Sequence, residues 1–229
     1  MNPFNPCGGG GGFGGGGGGF GGGGGAAGPL VYPGTYTVSM TAGGKVIDTK
    51  TIRVSADPSV QMTDVQAKRY YDMAIDMMEM QRRAGEMSNA LGQVWTQLAE
   101  LKDKVGASSA PAATKTQYDT LSKELDTLRV KFGAPAPGAA APAAGGGGRG
   151  GGVPAPNAAD IMARLNSTRA LLMAFQDNPS DTVVRNYNDL KLSLPKVIAE
   201  GNGFLVKAMS LSQALKKSDM TLTVPAPVK

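Results

Sequence analysis

The sequence contains no histidine and one cysteine, Cys7, in 229 residues. The first absence removes the usual general base near neutral pH and the commonest metal ligand. The second rules out an internal disulfide, and the glycine run after Cys7 offers it no oriented partner for nucleophilic work. No stretch approaches the roughly 18 consecutive apolar residues of a membrane span. Nor is there an excess of charge of one sign. The net charge is +5, with Lys and Arg interspersed among Asp and Glu. That pattern describes a solvated surface and excludes a concentrated basic stripe for nucleic acid. Met1 is followed by Asn, Pro and glycine in place of the basic and then apolar residues of a signal peptide.

What the sequence has in quantity is glycine, 34 residues, with 15 prolines, both unevenly placed. Residues 1–28 hold the run "CGGGGGFGGGGGGFGGGGG", and residues 133–156 a Gly/Ala/Pro-rich spacer. Glycine loses the most backbone entropy on ordering and brings no side chain to bury, so both blocks are expected to be disordered, low-complexity spacers. Phe13 and Phe20 are read as aromatics tolerated by a linker, with weak sticking to other chains as the alternative. No Lys-Ser/Thr follows the glycines and no strand precedes them, so they do not form a phosphate loop.

Between the spacers the apolar residues are periodic. In residues 35–41, Tyr36, Val38 and Met40 alternate with Thr and Ser, the period of a half-buried strand. Ala42-Gly43-Gly44-Lys45 is turn chemistry, and Val46–Val54 returns, so residues 29–60 are predicted to hold a β-hairpin. From Tyr70 the series Met73, Met77, Met80, Ala84, Met87, Leu91, Val94, Leu98, Leu101, Val105 steps by three and four. This is the heptad seam of a coiled coil, capped at Thr63 or Asp64 and stopped near Gly106.

A shorter helix over 113–132 carries Tyr118, Leu121, Leu125, Leu128 and Phe132, and another over 158–177 carries Ile161, Leu165, Thr168, Leu172 and Phe175 behind Asn157. A fourth, capped by Ser180 or Asp181, carries Val183, Tyr187, Leu190, Leu194, Val197, Gly201, Phe204, Ala208, Leu211 and Leu215. Pro195 predicts a bend in it, and Gly201 and Gly203 a weak point. Short links predict two helical hairpins, residues 61–132 and 157–219. The expected fold is thus mainly α: an antiparallel bundle of two long and two short helices plus the β-hairpin. The long helices are expected to pair antiparallel, with a four-helix end and a two-helix stalk. Residues 220–229 close the chain, and Thr221–Val224 are expected to add a third strand to the hairpin.

Several constellations invite a functional reading. The methionines Met73, Met77, Met78, Met80 and Met87 resemble an adaptable binding surface, but their heptad positions favour core. Trp95, beside the seam residue Val94, reads as packing at the bundle flank. Tyr70 and Tyr71 suit a joint between helix and hairpin. Asp72, Asp76 and Glu79 share one side of a helix, yet lack the tight loop of further oxygen ligands a cation needs. No catalytic, cofactor-binding or metal-binding residue is therefore assigned, and no cofactor is implied.

Two stretches, "PGTYTVSMTAGGKVIDTKTIRVSADPSV" and "YYDMAIDMMEMQRRAGEMSNAL", with "YNDLKLSLPKVIAEGN", "LSQALKK" and "LTVPAPVK", carry a resemblance. They are similar to the C-terminal region of large secreted bacterial proteins of the sortilin-like or BNR-repeat (sialidase-type, "glycosyl hydrolase") group. In that group β-propeller repeats precede an Ig-like module and a helical tail. The propeller is absent here, as are most strands of the Ig-like module. The resemblance implies a C-terminal fragment, or a gene start placed too late, of an extracellular or periplasmic protein. The expected function is a non-enzymatic structural or protein-binding module, partnered by another protein or by the missing propeller. The alternative is the accessory part of an exported glycosyl hydrolase or sialidase-like enzyme. Homo-oligomerisation through the helical seam is a third reading.

Overall fold

A computed structural model describes residues 31–134, 159–174 and 178–229. Within these the chain is mainly helical with one antiparallel β-hairpin. Strands β1 (Gly34–Ala42) and β2 (Lys45–Val54) are joined by Gly43 and Gly44, at φ 57° and 77°. A two-residue loop with both φ positive has the twist that antiparallel strands require. Tyr36 opposes Ile52 and Gly34 opposes Val54, so the predicted alternation shares one face. A bulge gives β2 one extra residue, Ile47, between the pairs Met40–Asp48 and Thr41–Val46. The first expected glycine-rich block, all of the second beyond Ala134, and Phe13, Phe20, Asn157 and Phe175 lie outside the described residues.

Helix α1 spans Asp64–Ala107. Thr63 caps it with a reciprocal box: Gln66 N–H donates to the Thr63 hydroxyl, and the Gln66 side chain accepts from Thr63 N–H. The helix runs through Gly106, the expected stop, to a cap at Ser108, whose hydroxyl donates to the Val105 carbonyl. Helices α2 (Ala112–Lys131) and α3 (Ile161–Ala174) follow, the second capped by Asp160, which accepts from Ala163 N–H at 3.0 Å. Helix α4 (Asp181–Lys216), capped by Ser180, is unbroken despite Pro195, Gly201 and Gly203. Every seam residue from Tyr70 to Val105 is buried, as are Tyr118, Leu121, Leu125, Leu128, Phe132, Ile161, Leu165 and Leu172.

The arrangement of these helices corrects the expected topology. Helix α2 runs antiparallel to α1, with Trp95 opposite Asp126 and Ser88 beside Phe132. Helix α3 is also antiparallel to α1, with Gln81 bonded to Asn166 and Tyr70 to Met173. Thus α2 faces the upper half of α1 and α3 the lower half, both pointing the same way. They meet end to end. The carbonyls of Arg129 and Val130 accept from Ala134 and Gly133 N–H, a Schellman stop with Gly133 at φ 83°. The inner side of that glycine faces Met162 Cβ and the Asp160 carboxylate, the entrance of α3. Helix α4 therefore starts at the lower end and runs parallel to α1, pairing Asp76 with Lys191 and placing Gly201 against Met87. The rod has three walls throughout its length, one of them made in two pieces. Among the described residues there is no two-helix stalk. The wide apolar stripe of α4 follows from this, because Ile198 and Leu205 are buried beside the seam residues Leu194, Phe204 and Leu211.

The chain's last residues correct a second expectation. Among the described residues the sheet has two strands, and Thr221–Val224 does not join it. Asp219, at φ 56°, turns the chain out of α4, with Met220 N–H bonded to the Leu215 carbonyl. The tail then descends the groove between α1 and α4. Met220 and Leu222 are buried, and the Ser212 hydroxyl donates to the Leu222 carbonyl at 2.6 Å. Gln97 clamps both backbone groups of Thr223 (2.7 and 2.9 Å), and Asn202 both of Val228 (2.8 Å each). Two side-chain amides thus serve the tail as a neighbouring strand would.

Truncation after Asp219 is expected to lower stability by about 3–5 kcal/mol, the burial of Met220 and Leu222 with part of Val224. Amide exchange should quicken in the upper halves of α1 and α4 and stay unchanged in residues 34–54. Slower or unchanged exchange around residues 90–105 would contradict the observed docking. At Gly201 an added Cβ would lie 2.5 Å from Met87 Sδ in the core, whereas at Gly203 it meets nothing within 4 Å. Gly203→Ala should stabilise by about 0.5–1 kcal/mol through helix propensity. Gly201→Ala should instead destabilise by about 1–3 kcal/mol through overpacking, as read by thermal unfolding.

Candidate functional site

The residues singled out by sequence occupy structural positions. Met73, Met77, Met80 and Met87 are buried in the bundle core, while Met78 is 41% exposed. No groove of exposed methionines forms among the described residues. Tyr70 is buried, its hydroxyl on Met173 of α3, and burial raises its phenol pKa. Tyr71 packs against Tyr32 with ring centroids 5.9 Å apart, and Tyr36 donates to the Tyr32 carbonyl at 2.5 Å. This small aromatic cluster is the joint between the hairpin and the foot of α1.

Trp95 ties α1 to α2. Its indole N–H donates to Asp126 at 3.0 Å, and the Arg129 guanidinium lies 4.1 Å above the ring. Burial lowers the pKa of that guanidinium, with Asp126 acting in the opposite direction. The Tyr118 hydroxyl donates to the Leu98 carbonyl at 2.5 Å, a second tie between the same helices. Both are packing roles.

The carboxylates Asp72, Asp76 and Glu79 do not converge. Asp72 pairs with Lys68 at 2.6 Å. Glu79 pairs with Arg82 at 2.6 Å, and Arg82 also reaches Glu86. Asp76 accepts from Tyr187 at 2.5 Å and Lys191 at 2.8 Å, both on α4. No group of three potential metal ligands forms among the described residues.

Asp76, Tyr187 and Lys191 form a connected polar cluster across the interface of α1 and α4. Lys191 Nζ also donates to the Tyr187 hydroxyl at 3.0 Å. Sequence pattern placed Tyr187 on the seam but gave no sign of this partner, because pairing across α1 and α4 depends on their parallel direction. Hydrogen bonds from Lys191 and then Tyr187 hold the Asp76 carboxyl below its ordinary 3.8. The Asp76 bond likewise raises Lys191, and burial raises Tyr187. Chemically the cluster holds a phenol protonated between a carboxylate and an ammonium. It borders an open depression of about 340 Å³ lined by Val65, Lys68, Arg69, Val184 and Asn188. Another, of about 500 Å³, lies beside the tail between Arg82, Gln93 and Pro225.

The fold and these contacts define a three-walled helical rod bearing a β-hairpin. No helix among the described residues is long and apolar enough to cross a membrane. Compared with protein-family models, with curated proteins and with solved structures, the chain matches none.

The cluster's contribution to stability has a defined pH window. A carboxyl with a depressed folded-state pKa stabilises above its unfolded value and loses that effect as pH falls through the folded value. A lysine or tyrosine with a raised pKa stabilises below its unfolded value, and the effect fades as pH rises through the folded one. Asp76→Asn is therefore expected to cost about 0.5–1 kcal/mol near neutrality, discounted for an ion pair roughly half exposed. The difference from the native chain should begin to shrink as pH falls below the ordinary carboxyl value of about 3.9, where the unfolded chain is protonated first, and disappear only below the lower folded-state value of Asp76. Urea unfolding at several pH values measures it, and a deficit independent of pH would contradict the assignment.

Proposed function

We propose that this chain is a non-enzymatic structural and interaction module, the C-terminal stalk or docking tail of a larger exported β-propeller protein. The observation that carries this reading is the uneven distribution of satisfied surface. The seams of the helical rod are buried and the groove between α1 and α4 is filled by the tail, which leaves only scattered apolar residues such as Val65, Leu192 and Val206 exposed on the helices. The hairpin does the opposite, with Val38, Met40, Val46, Ile47 and Ile52 all about half exposed or more. A rigid rod joined at one end to an unfilled sheet is the arrangement expected of a spacer that presents a contact surface. The resemblance in residues 33–60 and 70–91 supports placing a propeller upstream and an extracellular or periplasmic setting.

Assays of the chain alone, and of a form extended upstream in frame, on glycosides and peptides test the proposal. The chain alone is expected to give no turnover. Turnover that scales with its concentration and survives repurification would overturn the non-enzymatic reading. Hydrolysis by the extended form alone would instead make this region the accessory part of an exported glycosyl hydrolase.

A further inference from the structure

The two edges of the hairpin are built differently. The β2 edge carries Lys45, Asp48, Lys50 and Arg53 and is kinked by the bulge at Ile47. Charges and bulges are the means by which sheets discourage pairing at an edge. Strand β1, Gly-Thr-Tyr-Thr-Val-Ser-Met-Thr-Ala, has no charge and no proline in nine residues, and the extra residue of the bulge is not on it. On its far side no strand pairs with it among the described residues. In an antiparallel ladder, alternate residues of β1 direct their N–H and C=O groups to that unpaired side.

The strand is also complementary to itself. Set antiparallel to a second β1 with Val38 opposite Val38, it places Thr37 opposite Ser39 and Thr35 opposite Thr41. Tyr36 then meets Met40, and Gly34 meets Ala42. Hydroxyl pairs, a sulfur–aromatic pair and a β-branched pair are each favourable across strands. No charge is buried or opposed. An equivalent pairing of two β2 edges about Thr49 would set Lys45 of each copy opposite Arg53 of the other, across a strand already kinked by the bulge.

We propose that the free edge of β1 is a self-association surface whose occupant is β1 of a second copy of this chain, paired antiparallel about Val38. The product is a four-stranded sheet of order β2-β1-β1-β2. On one face the Tyr36, Val38 and Met40 side chains of both copies become contiguous. The contact is isologous and uses up both unguarded edges, so assembly stops at the dimer. A single strand edge is a small interface compared with the roughly 1,200 Å² or more of stable complexes, so the dimer is reversible and concentration-dependent. The helical seams are buried within each chain and take no part. The proposal goes beyond the docking-tail reading and does not depend on it, since catalytic turnover would leave these masses untouched.

Sedimentation velocity on the full chain over a wide concentration series tests it. The mass should rise from 23.4 kDa toward twice that value. Val38→Lys, which opposes two ammonium groups at the twofold axis, should weaken the dimer about tenfold or more. Met40→Lys should act in the same direction. Both positions are more than half exposed, so the helical content and melting temperature of each variant should match the native chain. Thr51→Lys on β2 and Leu192→Asp on α4 should leave the association constant unchanged. A monomer at every concentration overturns the proposal. So does association that survives Val38→Lys or is abolished by Leu192→Asp.

Discussion

The end-to-end meeting of α2 and α3 is the constraint on which the rest of the molecule depends. Phe132 and Ile161 are both buried at that junction, and Gly133 brings the two helices close enough to act as one wall. Because α3 continues in the direction of α2, the next turn lies at the lower end of α1. That sends α4 upward beside α1. The parallel direction then decides every contact between the two long helices, including Asp76 with Tyr187 and Lys191 and Met87 with Gly201. A reversal of α3 would dissolve all of them.

The same constraint determines what happens at the chain's end. With α4 ending at the top of the rod, the residues after Asp219 begin far from the foot of α1 and the hairpin that precedes it. Three walls leave a groove between α1 and α4, and the tail's apolar residues fill it. Its backbone would lose water without partners there, a cost on the order of 1–3 kcal/mol for each buried group. Gln97 and Asn202 supply donor and acceptor together, which few side chains other than amides can do. The alternation Leu222, Thr223, Val224 is therefore a real signal of extended chain docked on one side, although no strand receives it.

The candidate site was legible only in part. The seam positions of the methionines, the cap at Thr63 and the flank position of Trp95 follow from helical period and from local hydrogen bonding. The partners of Trp95, Asp76 and Tyr187 do not, because residues far apart in sequence meet through helix direction. Arg129 over Trp95 is such a case: both lie on helices that sequence identifies, at heights only the packed hairpin specifies.

By itself the sequence determined the elements: a hairpin turned at Gly43-Gly44, four helices with their apolar stripes, and most of their ends. These depend on interactions within a few residues, where backbone sterics and the 3.6- and 2-residue periods act directly. Only the tertiary structure decided that α3 prolongs α2, that α4 is parallel to α1 and that the tail leaves the sheet for the bundle. The physical reason is that an apolar stripe specifies which face of a helix is buried and leaves open the direction in which that helix runs along its neighbour. The choice fell to burial: a continuous third wall covers the seam of both long helices, and a two-helix stalk would have left half of it in water.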